Sequence, residues 1–579
     1  MSHNFTACIQ IDRERWLAFA NPALVLQADS PESVRRTLVD VEQLTRDRSL
    51  HAVGFLAYEA AASFGLPVPR FDSRLPLAWF GLFDASNIAE VGPPTRAGEY
   101  SVGELTPSLD RRAFDAAFDR IKQHLADGDS YQVNFTFQMR AAFQGDPRSL
   151  FADLCRAQRG DYSALIDLGD YVICSASPEL FFEFEGMDVV ARPMKGTARR
   201  GLTLEADRAV GEALVASPKE RAENVMVVDM VRNDLGRVAD VGTVSVPRLF
   251  TARRYPNVWQ MTSEVRARTA APLDEVVAAL HPSASVTGAP KKRTMELLND
   301  LESEPRGIYT GAIGHVPPDG LARFNVAIRT ALIDRREGLV TFGVGSGVVW
   351  DSDAGAEYAE CLVKGSILEA RPEPFALLET LRWIPEDGYY LLHRHVDRVV
   401  GAAEYFDIPL VISAVQNALT DAVVGAAWPL RVRVLVGQDG HVTVESTPLV
   451  LSAERLRVCL AENAVDVSSP FLYHKTTNRS AYEKARASAP DHDDVLLWND
   501  RGEVTEATTA NLVVEIDGVR VTPPVSSGLL AGTYRAEMLA EGMISEQAVT
   551  LDEVKRAPRL WLINSVHGMR EAELDSRTS

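Results

Sequence analysis

Apolar positions along this chain follow two periods, near 3.6 for helices and 2 for strands, in no strict alternation of one with the other. Residues 110–125 repeat Phe114, Phe118, Ile121 and Leu125 at the spacing of one helical face. Tyr162–Asp167, residues 171–175 and Leu180–Glu185 read as strands, with Gly169-Asp170 as a turn. Ser217-Pro218-Lys219-Glu220 has the order of a helix start, with a serine cap, a proline in the first turn and a glutamate third. The helix it opens carries Glu223, Met226, Val227 and Met230. Further helices are expected from Ala289-Pro290 and over about 356–371. Beyond residue 375, strands are expected at 431–436 and 441–445, joined by Gln438-Asp439-Gly440, and a hairpin over 511–521 around Asp517-Gly518.

The sharpest interruption of these patterns is Arg371-Pro372-Glu373-Pro374. Two prolines stop a helix and extend the residue before each. The expected division is a first domain over 1–371, a linker over 372–374 and a second domain over 375–579. The Pro/Gly-rich stretch 91–105 reads as a surface loop inside the first domain, and no internal repeat is found.

A length of 579 residues is too great for one core, which supports two or more domains. With 46% apolar and 24% charged residues the composition is globular. No apolar run reaches the length of a membrane span. The first residues lack the basic and apolar regions of a signal peptide. The five cysteines are scattered without CxxC spacing, so they read as buried thiols rather than disulfides or a zinc site, and a cytoplasmic setting is expected. A net charge of −20 argues against a nucleic-acid partner. It leaves room for a locally positive pocket that takes a small anion.

Three segments carry candidate chemistry in the first domain. Arg192-Pro193-Met194-Lys195-Gly196-Thr197 sets a lysine directly before Gly-Thr, where a ligand can approach the backbone. Ser285-Val286-Thr287-Gly288-Ala289-Pro290-Lys291-Lys292 is a small-residue loop opening a helix, with free N–H groups and two cations suited to an anion. Glu357, Glu360 and Lys364 share a helical face just after Gly345-Ser346-Gly347. Taken singly, a lysine before glycine is usually solvated, and paired glutamates are usually the wet side of a helix.

Taken in order with Ser177-Pro178-Glu179-Leu180-Phe181, Lys219-Glu220-Arg221-Ala222-Glu223-Asn224, Tyr309-Thr310-Gly311-Ala312-Ile313-Gly314 and Ala327-Ile328-Arg329-Thr330, these segments closely resemble the chorismate-utilising enzymes. That family includes anthranilate, isochorismate, salicylate and aminodeoxychorismate synthases, and the likeness spans roughly 50–371. It implies a two-layer α/β sandwich (α+β) with large antiparallel sheets and a centre that needs Mg2+. Members that make anthranilate carry PIAGT where this chain has PMKGT, and lysine there marks component I of aminodeoxychorismate synthase. By the resemblance Lys195 is the covalent nucleophile, which as an amine must shed its proton to act. Glu179 matches the general acid/base. Glu223 and Glu360 match metal ligands, with Glu357 close by as a second-shell or water-mediated partner. Gly196, Thr197, Tyr309, Arg329 and Gly345, Ser346 and Gly347 match substrate contacts, joined by Thr287 and Gly288, with Lys291 and Lys364 as electrostatic helpers. Gln260 stands where pyruvate-eliminating members have histidine, which fits release of aminodeoxychorismate. The tryptophan-binding motif of feedback-inhibited members is absent.

In the second domain, Tyr473-His474-Lys475-Thr476-Thr477-Asn478-Arg479 precedes Thr505-Glu506-Ala507-Thr508-Thr509-Ala510-Asn511 and Gly528-Leu529-Leu530-Ala531-Gly532-Thr533-Tyr534-Arg535. A lysine, an acid about thirty residues on and a glycine turn are what pyridoxal phosphate requires: an amine, a partner for the pyridine nitrogen and N–H groups for phosphate. With Phe375-Ala376-Leu377-Leu378-Glu379-Thr380-Leu381-Arg382 and His393-Arg394-His395-Val396-Asp397-Arg398, the set resembles the fold-type IV pyridoxal-phosphate enzymes. By that resemblance Lys475 joins the cofactor and Glu506 faces its ring nitrogen. Arg398, Asn511, Thr533 and Ser565 hold the cofactor, mainly through its phosphate. The family's first strands are missing, so the small lobe is shortened or is completed by the first domain. Tyr534 stands where threonine is common.

These motifs alone leave aminotransferase and lyase equally open. The fused neighbour favours aminodeoxychorismate lyase, because the first domain's product would be its substrate, giving p-aminobenzoate for folate. The rivals are an anthranilate- or salicylate-forming first domain, and a second domain that is an aminotransferase or a non-catalytic scaffold. No glutaminase motif is found, so ammonia is expected from solution or from a separate glutamine amidotransferase.

Overall fold

In the computed structural model, which describes residues 5–69, 75–451 and 454–575, the chain divides by its own contacts into two units. Unit one is Met1–Arg200 with Val210–Pro372, and unit two is Gly201–Ala209 with Glu373–Ser579. The short segment Gly201–Ala209 thus clusters with unit two although it lies far upstream in sequence.

In unit one the helix expected from the phenylalanine spacing is α1, Arg111–Ala126. Asp110 caps it by accepting from the Ala113 amide at 2.8 Å, and Phe114, Phe118 and Ile121 are buried. Strand β1, Gln132–Gly145, follows. The strand β2, Leu180–Glu185, has the expected bounds. Next come β3, Met194–Arg199, helix α2, Pro218–Gly236, and β4, Val258–Arg268. Ser217 caps α2 by accepting from the Glu220 amide at 3.3 Å, and α2 packs across β3 and β4. Helix α3, Lys291–Leu301, starts directly after Pro290. Strand β5, Leu339–Val348, leads to helix α4, Ala354–Gly365.

These elements build antiparallel sheets of eleven and ten strands. In the larger, β1 and β5 pair from Val133↔Val348 to Ala142↔Leu339. In the other, β3 pairs with β4 at Thr197↔Gln260. Buried aromatic side chains fill unit one, among them Phe182 and Phe324 stacked at 5.2 Å. Each such side chain contributes about 1.5–3 kcal/mol by leaving water.

Three expectations need correction. The last helix of unit one ends at Gly365 rather than near 371, and a 3-10 turn, Ser366–Glu369, takes over. Glycine is a poor helix former, and the turn places Leu368 in the core. The stretch 91–105 is not all loop. Tyr100–Val102 is a strand on the end of β1, held by the Tyr100 hydroxyl donating to Asp153 at 2.6 Å. The cysteines are free thiols, but Cys155 is only half-buried.

Unit two contains a four-stranded sheet and an eight-stranded sheet with both parallel and antiparallel pairs. In the first, β6, Leu377–Ile384, pairs with β7, Leu430–Val436, and helix α5, Leu392–Phe406, packs on β6. The second includes β8, Asn511–Ile516, and β9, Gly568–Leu574, with helix α6, Thr533–Ala540, between them in sequence. The expected hairpin after β8 turns at Asp517 and Gly518, both with positive φ (49° and 79°), as the Asp-Gly pair prescribes. Among the described residues no helix is long and apolar enough to cross a membrane.

Candidate active sites

The residues singled out in unit one come together where β3, α2, β5 and α4 meet. Lys195 Nζ on β3 lies 3.0 Å from Glu223 Oε2 on α2. Asn224, also on α2, donates to the Lys195 carbonyl at 3.0 Å and accepts from Ser263 at 2.6 Å, which locks this turn of helix to β3 and β4. On β5, a Cβ at Gly347 would stand 2.9 Å from Lys195 Nζ, so a larger residue there would make the amine shift. Gly196, at φ 104°, would bring a Cβ within 3.1 Å of Glu220. On α4, Lys364 bonds Glu360 at 2.6 Å and the Gly345 carbonyl at 2.8 Å. Arg329 donates to the Lys364 carbonyl at 2.9 Å.

Electrostatics tie the carboxylates together. Burial raises the Glu220 pKa, and the neighbouring Glu223 and Glu360 charges add to it. Burial also pushes Glu360 up, but Lys364, Lys195 and Arg329 outweigh it and hold its carboxyl below the usual range. Burial pushes Glu179 up to about 7, against a hydrogen bond of 2.6 Å from Ser285. Thr197 donates to Gln260 at 2.9 Å. Gly288 pairs with β1, where a Cβ would strike the Gln132 carbonyl. The buried Thr287 hydroxyl bonds the Ser283 and Ala284 carbonyls. Buried Ser346 lies between Gly345 and Gly347 of β5, and buried Tyr309 is accommodated by Gly343, where a Cβ would meet its ring at 2.1 Å.

Two expected residues stand apart. Lys291 commits its three protons to Asp234 and to the Leu280 and Pro282 carbonyls, at 2.5, 3.0 and 2.8 Å. It anchors the start of α3 and has no proton left for an anion. Glu357 is half-buried in the first turn of α4. Among the described residues no three His, Cys, Asp or Glu side chains are preformed as a metal cage. The donor set still suits a hard cation that keeps several waters. Glu220 feels the charges of Glu223 and Glu360, and a divalent ion would relieve that repulsion. Glu220 was not singled out from sequence, although its place three residues before Glu223 on a helix is a signal.

In unit two a cavity of about 620 Å³ is lined by Lys475, Glu506, Arg398, Asn511, Thr533 and Ser565, among others. Burial, then the Arg398 charge, pushes Lys475 down to about 8. Burial pushes Glu506 up to about 7. The carboxyl accepts from the Tyr482 hydroxyl at 2.8 Å, the Leu530 amide at 3.0 Å and Asn511 at 3.1 Å. Asn511 also bonds the Leu530 carbonyl, so it positions Glu506 rather than facing the cavity with a free amide. Arg398 grips Glu379 through two nitrogens, at 2.7 and 2.6 Å. His395 bonds the same carboxylate at 2.6 Å and Thr533 at 3.3 Å. Burial raises Glu379, but Arg398 and His395 prevail and hold it at about 2. No local sequence pattern assigns a role to Glu379, His395 or Tyr482, although the first two lie within the segments 375–382 and 393–398. A buried amine, an acid poised near neutrality and a cationic wall suit pyridoxal phosphate.

A family model described as chorismate binding enzyme matches residues 5–369, and one described as amino-transferase class IV matches 376–573. Aminodeoxychorismate synthase component 1 of Klebsiella aerogenes is 39% identical over 259 residues, 44% of this chain and 57% of that protein. Anthranilate synthase component 1 1 of Haloarcula marismortui is 40% identical over 260 residues, 45% of this chain and 53% of that protein. The chain thus spans a little over half the length of these curated relatives. The crystal structure of anthranilate synthase component I from Streptococcus pneumoniae TIGR4 superposes with a TM-score of 0.53 at 22% identity, over 64% of this chain and 93% of that one. That likeness shows the fold. The chain belongs to the chorismate binding enzymes and carries an amino-transferase class IV domain after that region.

Proposed function

We propose that this protein makes p-aminobenzoate in two steps, amination of chorismate in unit one and elimination of pyruvate in unit two. The observation that carries the reading is Lys195, set beside Glu223 and under Gly347, in the place where relatives that form anthranilate have alanine.

In the first step the Lys195 amine adds to ring carbon 2 while the C4–O bond breaks. Glu179, whose carboxyl keeps its proton up to about pH 7, supplies the proton with which the hydroxyl leaves as water. Ammonia then forms a bond at C4 as the bond from Lys195 to C2 breaks, which returns the free amine. The sum is chorismate plus ammonia to 4-amino-4-deoxychorismate plus water. Glu223 and Glu360 would hold Mg2+, with Glu220 and Glu357 reaching it through water. Magnesium supplies positive charge against the substrate carboxylates. Gln260 accepts from Thr197 and offers no imidazole for a pyruvate elimination at this site.

In the second step Lys475 takes the proton from the amine-bearing carbon. The ring becomes aromatic, the ether C–O bond breaks, and the departing enolpyruvyl group takes up a proton to leave as pyruvate. Pyridoxal phosphate supplies the electron sink for this proton loss. Glu506 would hold a proton at the cofactor's ring nitrogen, steadied by Tyr482, Asn511 and the Leu530 amide. Arg398, Thr533 and Ser565 would face its phosphate. Ammonia comes from solution or a separate amidotransferase, and the setting is the cytoplasm.

The test assays the two halves apart. Lys195→Ala should lower amination of chorismate by about a hundred-fold or more, while p-aminobenzoate still forms at the parental rate from supplied aminodeoxychorismate. Unchanged amination by this variant would remove the nucleophile from the account.

A further inference from the structure

In unit one, a single buried arginine ties together the segments on which several of the expected substrate contacts lie. Arg306, in the loop after α3, is 4% exposed. Its guanidinium grips both oxygens of Glu302, at 2.8 and 2.7 Å. It also donates to the Asn134 carbonyl on β1 and to the Val286 carbonyl, both at 2.8 Å, and to the Thr310 hydroxyl at 3.4 Å. All the N–H donors of the side chain are thus spent on the protein, and none is left for a ligand. Each partner adjoins a residue expected to meet substrate. Val286 precedes Thr287 and Gly288. The Thr310 hydroxyl passes the chain of bonds on by donating to the Tyr309 carbonyl at 2.6 Å. Glu302 accepts from the Thr136 amide and hydroxyl, both at 2.9 Å, and Thr136 stands opposite Gly345 across β1 and β5. A Cβ at Gly345 would lie 2.7 Å from Thr136 Cγ2, so the two strands meet closely at this point.

Two features point beyond stability. A buried ion pair is often no more stabilising than apolar residues of the same volume, because both ions lose their water. Thr310 is fully buried with φ 61°, a conformation that a β-branched residue keeps only where its surroundings impose it. Arg306 holds its hydroxyl, and its amide donates to the Ala327 carbonyl at 2.9 Å. We propose that Arg306 is a positioning residue for the chorismate site, fixing Thr287, Gly288, Tyr309 and Gly345 relative to one another without touching the substrate. The proposal rests on the reading of those residues as substrate contacts. Loss of the guanidinium would loosen β1, the loop before α3 and the turn at Tyr309 together. Binding would then weaken because the site is no longer preorganised, with no direct contact removed.

Calorimetric titration of the full-length protein with chorismate and Mg2+, with ammonia withheld, tests this. Arg306→Met alone would strand a buried carboxylate, so it is combined with Glu302→Gln, which exchanges the pair for neutral groups of similar volume. The chorismate Kd of this double variant should rise about 10–100-fold, the usual cost of removing a group that orients the ligands of a site. The fraction of protein that binds should stay at the parental value. Leu38→Ala, in the core beneath the helix Pro31–Arg48, lowers the melting temperature by opening a cavity and should leave Kd unchanged. A parental Kd in the double variant overturns the proposal. So does an equal rise in Leu38→Ala, which would make the effect one of stability alone. Should the double variant not fold, Arg306→Lys keeps the charge beside Glu302 but cannot span the three segments. Its Kd should also rise, and a parental value there overturns the proposal. Arg329→Met removes an expected contact directly and reports on the underlying reading. A parental Kd in that variant would sink the contact reading, whereas a raised one beside a parental double variant sinks only the role of Arg306.

Discussion

At the scale of single residues, burial sets the protonation states on which the chemistry depends. Glu179 and Glu506 are buried carboxyls raised to about 7, and Lys475 is a buried amine lowered to about 8. The cost of this tuning appears in stability. The Glu179 carboxyl titrates near its ordinary 4.5 in the unfolded chain and near 7 in the folded one. The folded state therefore binds this proton more tightly. Its contribution to stability is complete below about 4.5 and is lost as pH rises through about 7. Glu179→Gln, which keeps the volume and the acceptor for Ser285, removes that loss. The variant should melt at the parental temperature near pH 4 and ~2–4 °C above the parent at pH 8. Thermal unfolding at the two pH values checks this, and a variant less stable than the parent at pH 8 would contradict it. Amination should be severely impaired in the same variant at both pH values, because the proton donor is gone.

At the scale of elements, one helix start matters to the whole first site. Helix α2 carries Glu220, Glu223 and Asn224, and Ser217 satisfies the Glu220 amide at its cap. Ser217→Ala should cost about 1 kcal/mol and loosen the turn that holds the carboxylates. The apparent Mg2+ requirement of amination should rise, as read from the concentration giving half-maximal rate. A variant that loses stability with an unchanged requirement would show that the cap does not position the site. This helix was legible in sequence because its signals are local: cap, proline and glutamate lie within four residues. The hairpin at Asp517-Gly518 and helix α1 were legible for the same reason. Strand β1 was not. Its Asn134, Thr136 and Gln138 break the apolar run, and each is used in a tertiary bond, to the Val286 carbonyl, Glu302 and the Pro305 carbonyl. Partners more than 150 residues away leave no mark on a local window. Glu379 and Tyr482 bond Arg398 and Glu506, which lie 19 and 24 residues on, still beyond the reach of any helical or strand period. Lys291 was misread because a cation at a helix start looks alike in sequence whether it faces an anion or a buried Asp234. Lys195 and Lys475 were legible through the ordered motifs around them.

At the scale of the whole molecule, one polypeptide carries a chorismate binding region and an amino-transferase class IV domain. Unit one offers carboxylates for a hard cation beside a lysine, and unit two offers a cationic cavity around a second lysine. The chemistry of each implies the other. On the proposed reading, the product of the first would be the substrate of the second. The central claim is therefore a division of labour between Lys195 and Lys475, and product analysis tests it most directly. The parent protein, given chorismate, ammonia, Mg2+ and pyridoxal phosphate, should yield p-aminobenzoate and pyruvate in equal amounts. Lys475→Ala should consume chorismate as the parent does and accumulate 4-amino-4-deoxychorismate. Formation of p-aminobenzoate by Lys475→Ala at the parental rate, with no other lyase present, would contradict the account.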